Sequence, residues 1–249
     1  MTIFGDLHAQ WYDRWHEAKD YPREVGQLRE IIENETKGRD LIDLGCGTGR
    51  HLELLAAEGY HVAGVDRSPV MVSQARARLE PYQASVVQAE VTSPPFDEEF
   101  DVATMMFSVL GYQVTDEAMS DTLAAVHRVL RPGGLFLFDV LDAAAVLRDG
   151  PQGGVTVVRD GDEQLLRATT GAVHRDEETY EFTMRLWLLR DDKVIGQTEE
   201  SHLLRFFLRR ELELLMSTHG FTLLGHAPLA GGQPGPARTW SRLAWARRT

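Results

Sequence analysis

The sequence has a single cysteine, Cys46, among its 249 residues. One cysteine cannot form an intrachain disulfide, which excludes the disulfide framework of many small secreted proteins. No apolar run approaches the length of about 20 residues that a membrane-spanning helix needs, and polar residues at positions 6, 8 and 10 interrupt any signal-peptide core. We therefore expect a cytoplasmic protein that makes no contact with a membrane.

Basic residues are also in short supply. The chain has 26 Lys and Arg against 38 Asp and Glu, a formal net charge of -12. This charge repels a phosphate backbone, so we expect no nucleic-acid partner. The run Ser93-Pro94-Pro95-Phe96 resembles a signature of DNA amino-methyltransferases, but that signature follows the fourth strand, whereas this run precedes it. It is better interpreted as a rigid loop.

Short apolar runs alternate with amphipathic helical patterns between residues 38 and 140, as in a parallel sheet built from βαβ units. Strands are predicted at 40–44, 61–65, 84–88, 100–105 and 135–140. Ser68 followed by Pro69 predicts a helix that continues to Leu79. Met119, Leu123, Val126 and Leu130 recur at helical spacing and predict another helix before the fifth strand.

The segments on either side of this core differ from it in pattern. Residues 8–34 predict two helices rich in aromatic residues, which we expect to form a lid. Residues 155–207 alternate with period two between charged turns, which predicts antiparallel hairpins inserted beside the main sheet. A helix at 209–219 and two last strands complete the chain.

The most informative run joins the first strand to the next helix through Gly45, Gly47 and Gly49. Glycines allow a backbone to approach a ligand closely. A dinucleotide fingerprint requires glycine or alanine where this chain has Arg50. The run therefore departs from the usual NAD pattern, and the chain also lacks the Tyr-x-x-x-Lys pair of an NAD-type oxidoreductase.

The run from Asp43 to Gly49 resembles motif I of the class I S-adenosylmethionine-dependent methyltransferases. The resemblance implies S-adenosyl-L-methionine as cofactor and S-adenosyl-L-homocysteine as product. It also implies an α/β fold of the Rossmann-like type, with a mostly parallel seven-stranded sheet and helices on both faces. We expect one domain over 1–249, with the helical lid in 1–37, the cofactor-binding core in 38–140, the inserted antiparallel sheet after the fifth strand in 151–207, and the final helix and strands in 208–249.

The candidate cofactor-binding residues follow the ends of successive strands. Asp43 would support the methionine end above the glycine backbone, Asp66 would accept hydrogen bonds from the ribose hydroxyls, and Glu90 would lie near the adenine. The full expected set is Asp43, Gly45, Cys46, Gly47, Gly49, Asp66, Arg67, Met71, Glu90, Val91 and Phe107. No metal is expected, because Cys46 has no partner at metal-ligand spacing.

Further stretches, at 12–14, 45–53, 106–112 and 199–207, are similar to small-molecule N-methyltransferases, especially those acting on dTDP-amino sugars. This similarity implies an amine acceptor, the nitrogen of a natural-product intermediate or amino sugar. The candidates near the transferred methyl group are Tyr12 from the lid, Tyr112 after the fourth strand and His202 from the inserted sheet. Tyr112 stands where some amino-sugar enzymes have histidine. Transfer would be an in-line displacement helped mainly by proximity and orientation.

Three alternatives stay open at this point: an O-methyltransferase of a small metabolite, a non-catalytic cofactor-binding protein, and a homodimer formed through the edge strands of the inserted sheet.

Overall fold

Five parallel strands form the centre of the fold in the computed structural model, which describes residues 6–97, 100–230 and 240–249. In spatial order they are β3 (Ser85–Gln88), β2 (His61–Asp66), β1 (Asp40–Leu44), β4 (Phe100–Met105) and β5 (Leu130–Asp142). Beyond β5 lie β11 (Ser241–Arg248), which runs antiparallel to it, and β10 (Phe221–Pro228), which pairs with β11. This is the Rossmann-like, mostly parallel seven-stranded sheet that the sequence predicted.

Helices cover both faces of this sheet. Successive strand residues point to opposite faces, so Leu41 packs beneath α2 (Tyr21–Glu35) and α3 (Arg50–Ala57), whereas Ile42 packs beneath α5 (Asp116–Val129). The remaining core helices are α4 (Pro69–Leu79) on the first face and α7 (Arg209–Thr218) on the second. Because both faces are buried, the strands need the continuous apolar runs that the sequence shows.

Four antiparallel strands form a second sheet after β5. They are β6 (Gly154–Asp160), β7 (Glu163–His174), β8 (Thr179–Arg190) and β9 (Lys193–Phe207). The charged turns predicted at 175–178 and 190–192 separate them. Within the described residues, strand pairing with the main sheet is limited to the end of β9, where Phe206 and Phe207 pair in parallel with Leu141 and Asp142 of β5.

The N-terminal segment forms α1 (Asp6–Trp15) and α2, as the aromatic-rich pattern predicted. Helix α1 lies between the core and the inserted sheet. Asp13 of α1 accepts a hydrogen bond from the Thr48 hydroxyl at 2.7 Å, and Arg14 forms an ion pair of 2.6 Å with Asp160 of β6. Helix α1 is therefore held from both sides.

The structure differs from the prediction most clearly at the end of α5 and after β5. Helix α5 ends at Val129, and Leu130, predicted as helical, begins β5 because it pairs with Phe100 of β4. The structure also contains α6 (Ala143–Asp149), which the sequence pattern did not reveal; Asp142 caps it by accepting the Ala144 N–H at 3.0 Å. Long-range pairing and a local cap decide these positions.

The local signals around α4 were accurate. Ser68 accepts the N–H of Met71 and Pro69 occupies the first turn of α4, which ends at Leu79 as predicted. The sequence also predicts a Gly/Pro-rich loop at 230–237, and its residues from 231 onward lie outside the described residues. Among the described helices, none combines the length and apolar character required to cross a membrane.

Candidate functional site

The glycine-rich loop connects β1 to α3 at the carboxyl end of the sheet. Gly45, Gly47 and Gly49 have φ values of 92°, 54° and 79°, a left-handed conformation that strains other residues. The N–H groups of Gly45 and Cys46 donate to the carbonyl of Val65, at 2.8 and 2.9 Å. The loop is thus fixed against the end of β2.

Asp66, the last residue of β2, has two backbone donors. The N–H of Gly47 donates to Oδ2 at 2.9 Å, and the N–H of Ser68 donates to Oδ1 at 2.8 Å. Burial raises the pKa of the Asp66 carboxyl, although both hydrogen bonds act to lower it. The carboxylate is therefore fixed in orientation while it still lines a cavity.

This cavity has a volume of about 250 Å³ and lies between the carboxyl end of the main sheet, α1 and the inserted sheet. Eight of the predicted cofactor residues line it: Gly45, Gly47, Asp66, Arg67, Met71, Glu90, Val91 and Phe107. The other side is lined by α1 and the inserted sheet, with His8, Tyr12, His16, Arg167, Phe182, Met184 and His202.

A smaller cavity of about 30 Å³ adjoins the first and shares Tyr12, Gly45, Gly47 and Phe107 with it. Asp43 and Cys46, both predicted, line this part. The hydroxyl of Thr104 donates to Asp43 at 2.8 Å, and burial raises the pKa of Asp43 to about 6. Asp66 lines the larger cavity and Asp43 lines the smaller one, so each cavity has a carboxyl group beside the glycine loop.

Gly49 has a different position from the other two glycines. A Cβ at this residue would lie 3.2 Å from Cβ of Ala75 and from Cδ1 of Leu79, both on α4. Gly49 therefore allows α3 and α4 to approach, and it does not line either cavity.

A buried polar network behind the glycine loop was not predicted. Glu24 of α2 is fully buried, and its Oε2 lies 2.7 Å from Nζ of Lys19 and 2.9 Å from Nε2 of His51. Nζ of Lys19 also lies 3.4 Å from the centre of the Phe107 ring, a cation–π contact. Lys19 and Glu24 are close in sequence, but His51 and Phe107 are distant from them and from each other, so no motif spacing indicated that the four residues meet.

Phe107 and Ser108 follow β4 in the left-handed conformation, with φ values of 69° and 56°. The N–H and hydroxyl of Ser108 both donate to the buried carboxyl of Asp139, at 3.0 and 3.1 Å. These two hydrogen bonds stabilise the strained backbone conformation. The consequence is that the Phe107 ring lines both cavities.

Tyr12, Tyr112 and His202, the three candidate catalytic residues, all line the larger cavity. Tyr112 ends a short 3₁₀ helix (Val109–Tyr112), and its hydroxyl lies 2.8 Å from Nδ1 of His202 on β9. The His202 ring stacks on Phe182 with the ring centres 4.6 Å apart. Burial raises the pKa of Tyr12 and of Tyr112, so both phenols are neutral near pH 7.

Several lining residues beyond the predicted set also belong to the site. Tyr21, Thr48, Arg50 and His51 line the smaller cavity, and Arg50 is the only guanidinium among its lining residues. Arg50 directly follows Gly49 and begins α3, so its proximity to the glycine loop could have been predicted from the sequence.

Comparison with known proteins identifies the family. Residues 41–134 match the family model described as a methyltransferase domain. The chain is 32% identical to a ubiquinone biosynthesis O-methyltransferase from Aromatoleum aromaticum, over 61% of this chain and 71% of that one. This chain belongs to the S-adenosylmethionine-dependent methyltransferases.

A second relative of this methyltransferase is the dTDP-3-amino-3,4,6-trideoxy-alpha-D-glucopyranose N,N-dimethyltransferase of Streptomyces venezuelae. The two are 28% identical over 86% of this chain and 89% of the relative. The sugar N-methyltransferase KedS8 from Streptoalloteichus sp. has the same fold, with a TM-score of 0.80 at 21% identity over 100% of this chain and 96% of that one.

The cofactor of the methyltransferase is S-adenosylmethionine, and the donor set fits it. The cofactor carries a ribose diol, a carboxylate and a cationic sulfonium. The two cavities offer a fixed carboxylate at Asp66, a guanidinium at Arg50 and a further carboxyl at Asp43. The lining of the two cavities therefore contains charged groups of both signs.

Proposed function

We propose that this methyltransferase transfers a methyl group to the amine nitrogen of a small molecule, an amino sugar or another natural-product intermediate. The observation that carries this proposal is the Tyr112–His202 hydrogen bond, which faces the larger cavity opposite Asp66 and the glycine loop. The N,N-dimethyltransferase relative, whose name specifies a dTDP-amino sugar, supports the choice of nitrogen.

The cofactor residues are assigned by their places in the cavities. Asp66 accepts hydrogen bonds from the ribose hydroxyls, and Glu90 and Val91 lie on the adenine side with Arg67 and Met71. Gly45, Cys46 and Gly47 provide backbone beneath the methionine portion. Arg50 pairs with its carboxylate, and Asp43 lies beside its cationic end.

The bound cofactor supplies an activated methyl group on a sulfonium, so the protein has three tasks: to orient the acceptor, to exclude water and to accept a proton. The apolar rings of Phe107 and Phe182 and the thioether of Met184 line the acceptor side and exclude water. Holding the acceptor nitrogen in line is the largest expected contribution to the rate. A positioned base adds typically 10²–10⁴-fold.

The O-methyltransferase relative from Aromatoleum favours a second candidate, methyl transfer to a hydroxyl oxygen of a small metabolite. A hydroxyl needs a stronger base than a neutral amine does. The raised pKa of the buried Tyr112 phenol provides no such base by itself. For this reason we favour nitrogen over oxygen as the atom that accepts the methyl group.

Acceptor assays with isotopically labelled S-adenosylmethionine test the proposal. Amino sugars, free and nucleotide-linked, are paired with the hydroxyl sugars that differ only at the reacting atom, and products are followed by mass spectrometry. We expect a mass increase of one or two methyl groups on the amines alone. Methylation of the hydroxyl members only would favour the O-methyltransferase, and cofactor binding with no turnover on any acceptor would favour a non-catalytic binding protein.

A homodimer through the inserted sheet stays a prediction. Strand β6 is the outer strand of that sheet and pairs only with β7 in the described part of the chain. Val155 and Val157 of β6 are exposed on the same face. Sedimentation analysis tests this, and a Val155→Lys variant that stays dimeric would contradict it.

A further inference from the structure

Behind the Tyr112–His202 pair lies a carboxylate that the sequence did not single out. Glu200 of β9 is fully buried, and its Oε2 lies 2.8 Å from Nδ1 of His8 on α1 and 3.4 Å from Nε2 of His202. A continuous chain of polar atoms therefore runs from the cavity through Tyr112, His202 and Glu200 to His8.

Burying an ionised carboxylate costs free energy unless the charge is paired. An apolar side chain at this position would avoid that cost. The neighbouring Glu199 shows the ordinary alternative: it points to the opposite face of β9, is exposed, and pairs with Arg185. Glu200 instead faces the imidazole rings of His8 and His202, and both of these residues line the cavity. This arrangement places the Glu200 carboxylate beside the ring nitrogen of His202 that faces away from Tyr112.

We infer that Glu200 and His8 are positioning residues of a proton relay that begins at Tyr112. This inference rests on the proposed N-methylation. An acceptor ammonium gives its N–H proton to the Tyr112 oxygen while the Tyr112 proton passes to Nδ1 of His202. The nitrogen keeps its lone pair for methylation, and His202 becomes an imidazolium paired with Glu200.

The tyrosine never becomes a free phenolate in this scheme, since it gains and loses a proton together. This agrees with the burial around Tyr112, which disfavours its charged form. The proton leaves by the reverse route to solvent after the product has gone. No group beyond the acceptor and the chain itself is consumed.

The relay also requires a defined tautomer. A carboxylate only accepts hydrogen bonds, so Glu200 favours the hydrogen on Nε2 of His202, and the Nδ1 lone pair then accepts from the Tyr112 hydroxyl. The other titratable or charged groups that face this chain are Tyr12 of α1, His16 just after α1, Arg67 after β2 and Arg167 of β7.

Glu200→Gln is the test variant, and Glu199→Gln on the opposite face is the matched control. The first readout is the pair of His202 ¹⁵N chemical shifts in the S-adenosylhomocysteine complex, which needs no acceptor. We expect the Nε2–H tautomer in the wild type and in Glu199→Gln, and a mixed or reversed tautomer in Glu200→Gln. An unchanged tautomer in Glu200→Gln would overturn the relay even if no acceptor had been found.

The second readout is the pH profile of kcat with an amine acceptor. Glu200→Gln should lower kcat about 100-fold near neutral pH with little change in KM, and the loss should shrink once the pH exceeds the pKa of the acceptor amine. His8→Asn, whose amide still donates to Glu200, should keep most of the activity that His8→Leu loses. A uniform loss across all pH values would show a merely structural role and contradict the inference.

The same three side chains, His8, Glu200 and His202, have donor atoms within 4.8 Å of one another, a spacing that a divalent metal ion would also accept. Metal content is therefore measured on the purified protein. Stoichiometric zinc that disappears in Glu200→Gln would overturn the relay, whereas metal-free protein with full activity supports it.

Discussion

Individual carboxyl groups in this methyltransferase have different surroundings, and Asp66 is the most informative of them. It accepts hydrogen bonds from the N–H groups of Gly47 and Ser68, and it also lines the larger cavity. It fixes the glycine loop, and we propose that its oxygens also accept hydrogen bonds from the cofactor ribose.

Asp66→Ala should weaken S-adenosylmethionine binding by about 10- to 100-fold, because hydrogen bonds to a charged group contribute roughly 1.5–3 kcal/mol. Calorimetric titration measures the change. Asp162→Ala, at an exposed turn residue between β6 and β7, is the control and should bind as the wild type does. Unaltered binding by a folded Asp66→Ala protein would remove Asp66 from the ribose role.

The buried Asp43 predicts a pH dependence of stability. Its pKa is raised by burial from 3.8 to about 6, so the folded state binds a proton that the unfolded state releases at lower pH. Its contribution to stability is therefore greatest below pH 4 and is lost as the pH rises to 6. The size is about 2 kcal/mol, from roughly 1.4 kcal/mol per pKa unit reduced for coupling to neighbouring carboxyls.

Urea unfolding of the ligand-free protein at several pH values tests this against Asp43→Asn. His16 acts in the opposite direction, because burial lowers its pKa to about 4. Comparison with Asp43→Asn isolates the Asp43 contribution: the free energy of unfolding of the wild type should fall relative to that of Asp43→Asn as the pH rises from 4 to 6. A difference that is constant with pH would show that Asp43 is not protonated in the folded state.

Among the elements, α3 and α4 are packed closely through Gly49. Gly49→Ala should reduce stability by about 2–3 kcal/mol, through a left-handed alanine and contact with Ala75 and Leu79 at 3.2 Å. Gly59→Ala is a matched control: its φ is 87°, but nothing lies within 4 Å of the added Cβ. The free energy of unfolding of this variant should fall only by the cost of the left-handed alanine, about 1–2 kcal/mol. Equal losses in urea unfolding would show that helix packing contributes nothing.

Elements with local signals were predictable from sequence, and those decided by distant contacts were not. Ser68 and Pro69 mark the start of α4 within a few residues, so its bounds were predicted correctly. Leu130 has a helical position in the pattern, but its pairing with Phe100 makes it a strand.

The same distinction holds for the site. The glycine loop and Asp66 follow a compact motif and lie together as expected. Tyr112 and His202 were singled out separately, and their hydrogen bond joins residues 90 positions apart. The carboxylates of Glu24 and Glu200 become interpretable only when the fold buries them beside histidines.

At the scale of the whole molecule, α1 connects the core to the inserted sheet. Asp13 binds Thr48 in the glycine loop, and Trp15 stacks under the Arg167 guanidinium of β7 at 3.6 Å. Access to both cavities therefore depends on α1, which contributes Tyr12 to each.

Asp13→Asn should loosen α1, because the charge that pairs with Arg50 and Arg78 is lost. We expect amide hydrogen exchange in α1 to become about 10-fold faster or more, with exchange in the central strands unchanged. Glu17→Gln, just beyond α1 and exposed, should exchange as the wild type does. If Asp13→Asn protects α1 equally well, the contacts to the inserted sheet hold the helix without it.

The attachment of the inserted sheet to β5, through two residue pairs at the end of β9, has an evolutionary consequence. Mutations within β6, β7 and β8 can accumulate without altering the register of the parallel strands that shape the glycine loop. The surface that we propose to meet the acceptor can therefore diverge among descendants of one ancestral gene while the proposed cofactor surface stays the same. A lineage with this architecture can acquire new acceptors by changing the inserted sheet, whose strand pairing with the main sheet is limited to two residue pairs.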